Sequence, residues 1–231
     1  MSGDAWQIQQ VPPLYLNFLT SANGQRAMLT DQSGALRSGD SQTITLGMQN
    51  GAKLLWQGVQ SMLVGRVFGS GEPARLTTSI CLRESELNFI NVPAILFAHS
   101  RLEQTTIIDI DTTSELLFWD VTAAGRLARG EAWHFESYAN EFSLRVGGEQ
   151  LLRERMILSK NELPKSTAGF AAAKLWLSAI AYGKKSVARL MKKIEHLEAL
   201  GLQTSYGYLN PECLAAKGLD APGTILTRRN F

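Results

Sequence analysis

Three short stretches of this chain carry residues whose types and spacing could do chemistry. In "EAWHFE", strand alternation puts Trp133 and Phe135 on one face and His134 with Glu136 on the other. Residues two apart on a strand lie about 6.5–7 Å apart, so imidazole and carboxylate can share a divalent ion, and imidazole suits nickel and zinc alike. The same pattern also fits the wet face of a half-buried strand. In "TTIIDIDT", Asp109 and Asp111 fall on one strand face. They read as a carboxylate pair for a cation, as a general acid/base dyad, or as a solvated face. "ARGE" brings Arg129 close to Glu131. Such a pair is a surface bridge of little energy unless it is partly buried and faces a partner.

Other chemistries find little support. His99, His134 and His196 are scattered, with no His-x-x-x-His pair, which argues against a closed zinc site. Cys81 and Cys213 have neither metal nor redox spacing and read as small buried hydrophobes. No Gly-rich stretch ends in Gly-Lys-Ser/Thr, and there is no nucleophile elbow. The enzymatic alternative is a small β-fold hydrolase using Asp109/Asp111 or His134/Glu136 as acid and base. A net charge of +2 argues against a strong nucleic-acid binder. The beginning "MSGDAWQIQQ" lacks the basic and apolar regions of a signal peptide. The most apolar stretch, Ala168–Tyr182, is shorter than the roughly 20 residues of a membrane span. A cytoplasmic location, with no membrane partner, is the expectation.

These residues need elements to hold them. From Leu14 to about Ser159 the hydrophobic pattern has period two, in short Thr-rich and β-branched runs separated by Gly, Asn, Ser or Pro. Asn50-Gly51 signals a two-residue hairpin, and "RVGGEQ" joins "EFSLRV" to "QLLRERMIL". Beyond Asn161 the pattern changes. Ala168–Ala181 is a buried helix or strand that periodicity leaves open. "KKSVARLMKKIEHLEALG" is an amphipathic helix with Val187, Leu190, Met191, Ile194 and Leu197 on one stripe and Gly201 as its terminator. Lys185, Arg189, Lys192 and Lys193 lie on its polar side, a solvated face or a docking face for an acidic partner. "NPECLAAKG" reads as a second short helix, with Asn210 as cap and Pro211 in its first turn. "GTILTRRNF" reads as a last strand. The expected fold is mainly β: a wound, β-helical-like antiparallel body with about two helices at the C-terminal side. It forms one domain over residues 1–231, with a β body at about 14–159 and a helix-containing part at about 168–231.

The stretch "ELLFWDVTAAGRLARGEAWHFESYANEFSLRV", followed by "LLRERMIL", resembles the signature region of the urease accessory protein UreD (UreH) family. "WD", "GR", "RGEAWHF" and the closing "ER" recur there in that order. "SGD" at Ser38–Asp40 and "ELNFINVPAILFAHSRLEQTTIIDI" are similar to further family segments, as is the terminal "GTILTRRNF". The resemblance runs from Leu14 to the end and is strongest over 115–158. "LLWQGVQSMLVGR" departs from the Thr-Thr-Gln-rich strand that relatives carry there.

The resemblance implies a non-enzymatic cytoplasmic scaffold that binds apo-urease. With a UreF-like protein it would recruit a UreG-like GTPase that supplies nickel. It implies no tightly bound cofactor and only transient nickel, passing along a polar route through the β body. On that implication, Glu131, His134, Glu136, Asp109 and Asp120 are expected to line the route. Arg189, Lys192 and Lys193, with Arg126 and Arg129, are expected to meet partners.

Overall fold

The computed structural model describes residues 7–10, 12, 14–21, 24–67, 71–159 and 174–220. Burial at every second position winds the chain into two facing sheets. In β3 (Ser41–Met48), Gln42, Ile44, Leu46 and Met48 turn inward and the residues between them outward. The same alternation runs through β4 (Lys53–Gly58), β6 (Ala74–Leu82), β7 (Glu86–Ile90) and β9 (Arg101–Ile110). Successive long strands of this run belong to opposite sheets. One sheet holds β3, β6 and β9, parallel and in register; the other holds β4, β7 and β10 (Glu115–Ala123), also parallel. Short strands β5 (Met62–Val64) and β8 (Ala94–Leu96) pair in parallel beside β10.

Antiparallel strands flank this wound centre. β1 (Leu14–Ser21) pairs with β2 (Gly24–Asp31), which joins β4. β11 (Ser137–Val146) extends the first sheet in parallel to β9, and β12 (Glu149–Ser159) returns antiparallel through the Gly147-Gly148 turn, as "RVGGEQ" predicts. On the second sheet β10 is followed by β13 (Leu175–Tyr182), β15 (Cys213–Asp220) and β14 (Leu202–Asn210), all antiparallel. The mainly β, wound reading holds. The strand pairing at its centre is parallel rather than antiparallel, because each corner sends the chain to the opposite sheet.

Asn50-Gly51 shows this. Both residues have positive φ, 58° and 76°, as the dipeptide predicts for a tight turn. Yet β3 and β4, which it joins, do not pair with each other. The turn is a corner: Gly51 N donates to Glu84 O of the next corner at 2.7 Å. Glu84 N in turn donates to Asp111 Oδ2 at 2.7 Å, so the corners stack as the strands do.

The amphipathic stripe forms α1 (Lys184–Ala199), which packs Leu190, Ile194 and Leu197 on the outer face of β10 and β13. Its first turn has no cap of its own; Glu115 of β10 accepts from Lys185 N and Ser186 N at 3.2 and 2.9 Å. Carboxylate oxygens thus meet the free amides and positive end of the helix dipole. Leu175–Tyr182 resolves the helix-or-strand ambiguity as a strand, β13, apolar apart from Ser178 because it is covered on both faces. The second expected helix is absent: "NPECLAAKG" forms the β14–β15 turn and β15. Asn210 Oδ1 accepts from Glu212 N at 2.9 Å in that turn, and pairing to β13 and β14 on both sides outweighs helical propensity. The expected last strand, 223–231, lies outside the described residues.

The Asp111 corner yields a prediction. Asp111 accepts from Thr113 N, Thr113 Oγ1 and Ser114 N as well as from Glu84 N. Burial pushes its carboxyl up, but these donors outweigh burial and hold it below the usual aspartate range. A depressed pKa contributes stability above the ordinary value of about 4 and loses it as pH falls through the folded value. Asp111→Ala should therefore cost about 1–3 kcal/mol at pH 7 and progressively less in increasingly acidic buffer. Urea unfolding midpoints across that range measure it; an equal cost at both ends would contradict it.

Candidate functional site

Inside the body, polar residues occupy inward positions that alternation reserves for apolar ones. In the β3–β6–β9–β11 sheet, one level reads Gln42, Leu76, Gln104 and Asn140, and the next carries Thr78 and Thr106. The facing sheet presents Asp120, Ser178 and Lys217 in register across β10, β13 and β15. This polar lane separates two apolar clusters. One is built on Ile44, Leu46, Trp56, Phe89 and Phe118, the other on Val64, Leu76, Leu96, Phe135 and Tyr138.

Asp120 is the buried carboxylate of the lane and is 5% exposed. Gln104 Nε2 donates to its Oδ2 at 2.8 Å, Tyr138 Oη donates to Gln104 Oε1 at 3.3 Å, and Tyr138 meets Thr122 Oγ1 at 3.3 Å. Burial lifts the Asp120 carboxyl to about 6, against the opposing pull of Gln104, Asn91 and Lys217. Burial likewise pushes the Tyr138 hydroxyl well up, reinforced by the Asp120 charge, so it stays a neutral donor. The lane widens into a cavity of about 520 Å³ lined by Asp120, Thr122, Tyr138, Asn140, Ser178 and Lys217, among others. Lys217 Nζ donates to Glu154 Oε2 at 2.5 Å and to Ser178 Oγ at 2.6 Å, tying β15 to β12 across this cavity. Gln42 Oε1 and Asn140 Oδ1 are buried with no hydrogen-bond partner among the described residues. A buried acceptor of this kind favours a polar guest.

The other expected site residues are dispersed. "EAWHFE" is not a strand: β10 ends at Ala123, and 124–136 is a corner with a 3-10 turn at Leu127–Arg129. Gly125 allows it, since a Cβ there would lie 2.4 Å from Glu131 O. Glu136 therefore meets His99 Nδ1 at 2.8 Å rather than sharing a face with His134, which is exposed. Glu131 pairs with Arg126, not Arg129: its Oε2 accepts from Arg126 Nε at 2.8 Å and its Oε1 from Ala98 N at 2.6 Å. Burial pushes the Glu131 carboxyl up, yet Arg126 and Ala98 outweigh it and hold it low.

Asp109 bonds outward to Arg83 at 2.8 Å, while Asp111 serves its corner. The acid/base pairs of the hydrolase alternative are thus not assembled. No three metal-binding side chains cluster among the described residues. Of the expected partner cations, Arg189 is bonded to Glu86 at 2.6 Å. Lys193 Nζ sits 5.3 Å from the Trp119 ring centroid, while Lys192 and Arg129 are exposed.

Asp120 is the one expected residue within the lane. Gln104, Thr122, Tyr138, Asn140, Ser178 and Lys217 were missed, although "LEQTTIID" carried a usable signal: a Gln and a Thr in the phase of Leu102, Ile108 and Ile110.

A parallel two-sheet winding around an internal polar lane makes this a β-solenoid-like protein. Residues 5–227 match the family model of the UreD urease accessory protein. The chain is 28% identical over 175 residues to the urease accessory protein UreD of Trichodesmium erythraeum (strain IMS101), covering 74% of this chain and 63% of that protein. It is 24% identical over 195 residues to that of Anaeromyxobacter sp. (strain Fw109-5), covering 82% and 64%. With that of Pseudomonas fluorescens (strain Pf0-1) it shares 25% over 198 residues, covering 84% and 70%. The chain belongs to the UreD urease accessory protein family, a non-catalytic family, which removes the hydrolase alternative. It spans less than two thirds of the length of the first two relatives.

The raised Asp120 pKa predicts an inverted pH effect. Such a group costs nothing below its unfolded pKa of about 4 and destabilises as pH rises through 6. Asp120→Asn should raise stability at pH 7.5 by on the order of 3 kcal/mol, with the gain fading toward pH 4. Thermal melts at both pH values test this; a mutant less stable at pH 7.5 would contradict it.

Proposed function

We propose that this chain is a cytoplasmic scaffold in urease maturation. It binds apo-urease together with UreF-like and UreG-like partners, and its inter-sheet lane is the route along which nickel passes. The supporting observation is the Asp120 carboxylate, buried between two apolar clusters in a lane of amides and hydroxyls that opens toward Lys217. An ionised carboxylate oriented by amide side chains, with hydroxyls nearby, stabilises a partly hydrated divalent cation. Glu154, the other carboxylate lining that cavity, is held by Lys217, so Asp120 does not cage the ion and a cation can leave again. Nickel is cargo here, not a resident cofactor. The route is proposed on Asp120, with Gln104, Thr122 and Tyr138 holding that side chain in place. Glu131, His134, Glu136 and Asp109 belong to other parts of the molecule. No helix among the described residues is long and apolar enough to cross a membrane.

Co-expression with the urease subunits and the other accessory proteins tests the reading. Asp120→Ala should leave the complex recoverable while urease nickel content and activity fall about tenfold or more, the scale of losing a residue that tunes a metal site. Asp120→Glu should restore part of it. Full activation by Asp120→Ala in an intact complex would sink the route.

A further inference from the structure

The outer face of the β4–β7–β10–β13 sheet is built to seat more than α1. Beneath α1 lie Leu117, Trp119 and Val121 of β10 with Leu177, Ala179 and Ala181 of β13. The same apolar surface continues outward: Ile90 and Leu175 are partly buried against this cluster, and both also line a groove of about 860 Å³ beside it. Leu63, Ile95, Phe97 and Ala123 complete the floor, and Arg26, Arg126 and Arg129 line the groove as well.

The electrostatics of the groove are one-sided, since no Asp or Glu is among the described residues that line it. Arg126 is answered by Glu131 and lies 4.5 Å from the Phe97 ring centroid. Arg26 and Arg129 are exposed, with no carboxylate partner among the described residues. On the side toward α1, Lys193 is held over Trp119, the register partner of groove residue Ile90. Apolar floor, flanking cations and missing anions together specify an occupant.

We propose that this groove docks an amphipathic helix of a partner protein. The helix would lay its apolar stripe on Leu63, Ile90 and Ile95 beside α1 and carry Asp or Glu along its flanks toward Arg26 and Arg129. An apolar helix stripe on an apolar sheet face is the same packing that already holds α1. The acidic flanks follow from charge complementarity, which selects partners more than it adds raw affinity. The inference stands apart from the nickel route, because it uses the outside of the sheet and no residue of the lane.

Fluorescence anisotropy with the full chain in nickel-free buffer tests it. The probe is a labelled synthetic helix of about 18 residues, five turns, with a leucine stripe and glutamate flanks. Two controls are the same peptide with lysine flanks and a scrambled peptide lacking the stripe. The glutamate peptide should bind about tenfold tighter than the lysine peptide, and the scrambled one should not bind. The double variant Arg26→Glu/Arg129→Glu, at two exposed positions, should invert that preference while keeping the wild-type melting temperature. Equal binding of both charged peptides, a preference untouched by the double variant, or no binding at all would overturn the proposal. Sedimentation velocity covers the remaining occupant: a concentration-dependent dimer that the double variant dissolves would assign the groove to a second copy of this chain, and would also overturn it.

Discussion

Parallel, in-register pairing between successive coils is the constraint on which the rest of the molecule depends. It brings equivalent positions of β4, β7 and β10 to the same level, so Leu54, Leu87 and Leu116 form one apolar row. Trp56, Phe89 and Phe118 form the next, with ring centroids 5.3 and 5.4 Å apart and near-parallel planes. Each aromatic pair adds about 0.5–1.5 kcal/mol beyond the area it buries. A slip of one residue would turn every one of these side chains to the outer face. The stacked corners, tied through Glu84 and Asp111, hold the register from the turn side.

The same register that aligns the apolar rows also aligns the polar one. Gln42, Gln104 and Asn140 recur at one level because they share an inward phase, and Asp120 faces them from the opposite sheet. Burying a carboxylate opposes folding, and the lift of its pKa to about 6 measures that opposition. A purely structural core has no need of it, since apolar residues of similar volume would pack at less cost. This is the physical ground on which the lane, rather than the surface ion pairs, is proposed as the nickel route.

The outer face of the second sheet follows different rules from its inner face. Its apolar strip is wider than α1, and the helix is anchored at one end by Glu115 and along its side by Arg189 on Glu86. Those contacts bind α1 to β7 and β10 and leave the strip beside it bounded by arginines. Inside, a buried carboxylate sits in a polar lane between apolar clusters; outside, arginines line an apolar floor.

Much of this was legible in the residues themselves. Period-two burial marked nearly every strand from β3 to β12, the 3.6-residue stripe marked α1, and Gly147-Gly148 marked its hairpin. The segment 115–158 carried the family resemblance. Asn50-Gly51 determined a left-handed turn, but only tertiary structure decided that it would cross between sheets instead of closing a hairpin. Alternation fixes which side chains share a face and is silent about which distant strand lies alongside. That choice rests on contacts far apart in sequence, between β6 and β9 or β10 and β13. For the same reason "NPECLAAKG", helical by local preference, became a strand between two others, and "EAWHFE" became a corner held by Ala124, Ser100 and His99. Asp120 could be named before the fold was known only because the family resemblance implied a polar route and made its carboxylate a candidate. Its neighbours Gln104, Thr122 and Tyr138 gained their meaning only when the two sheets closed over them, since a neutral polar residue becomes informative once its burial is known.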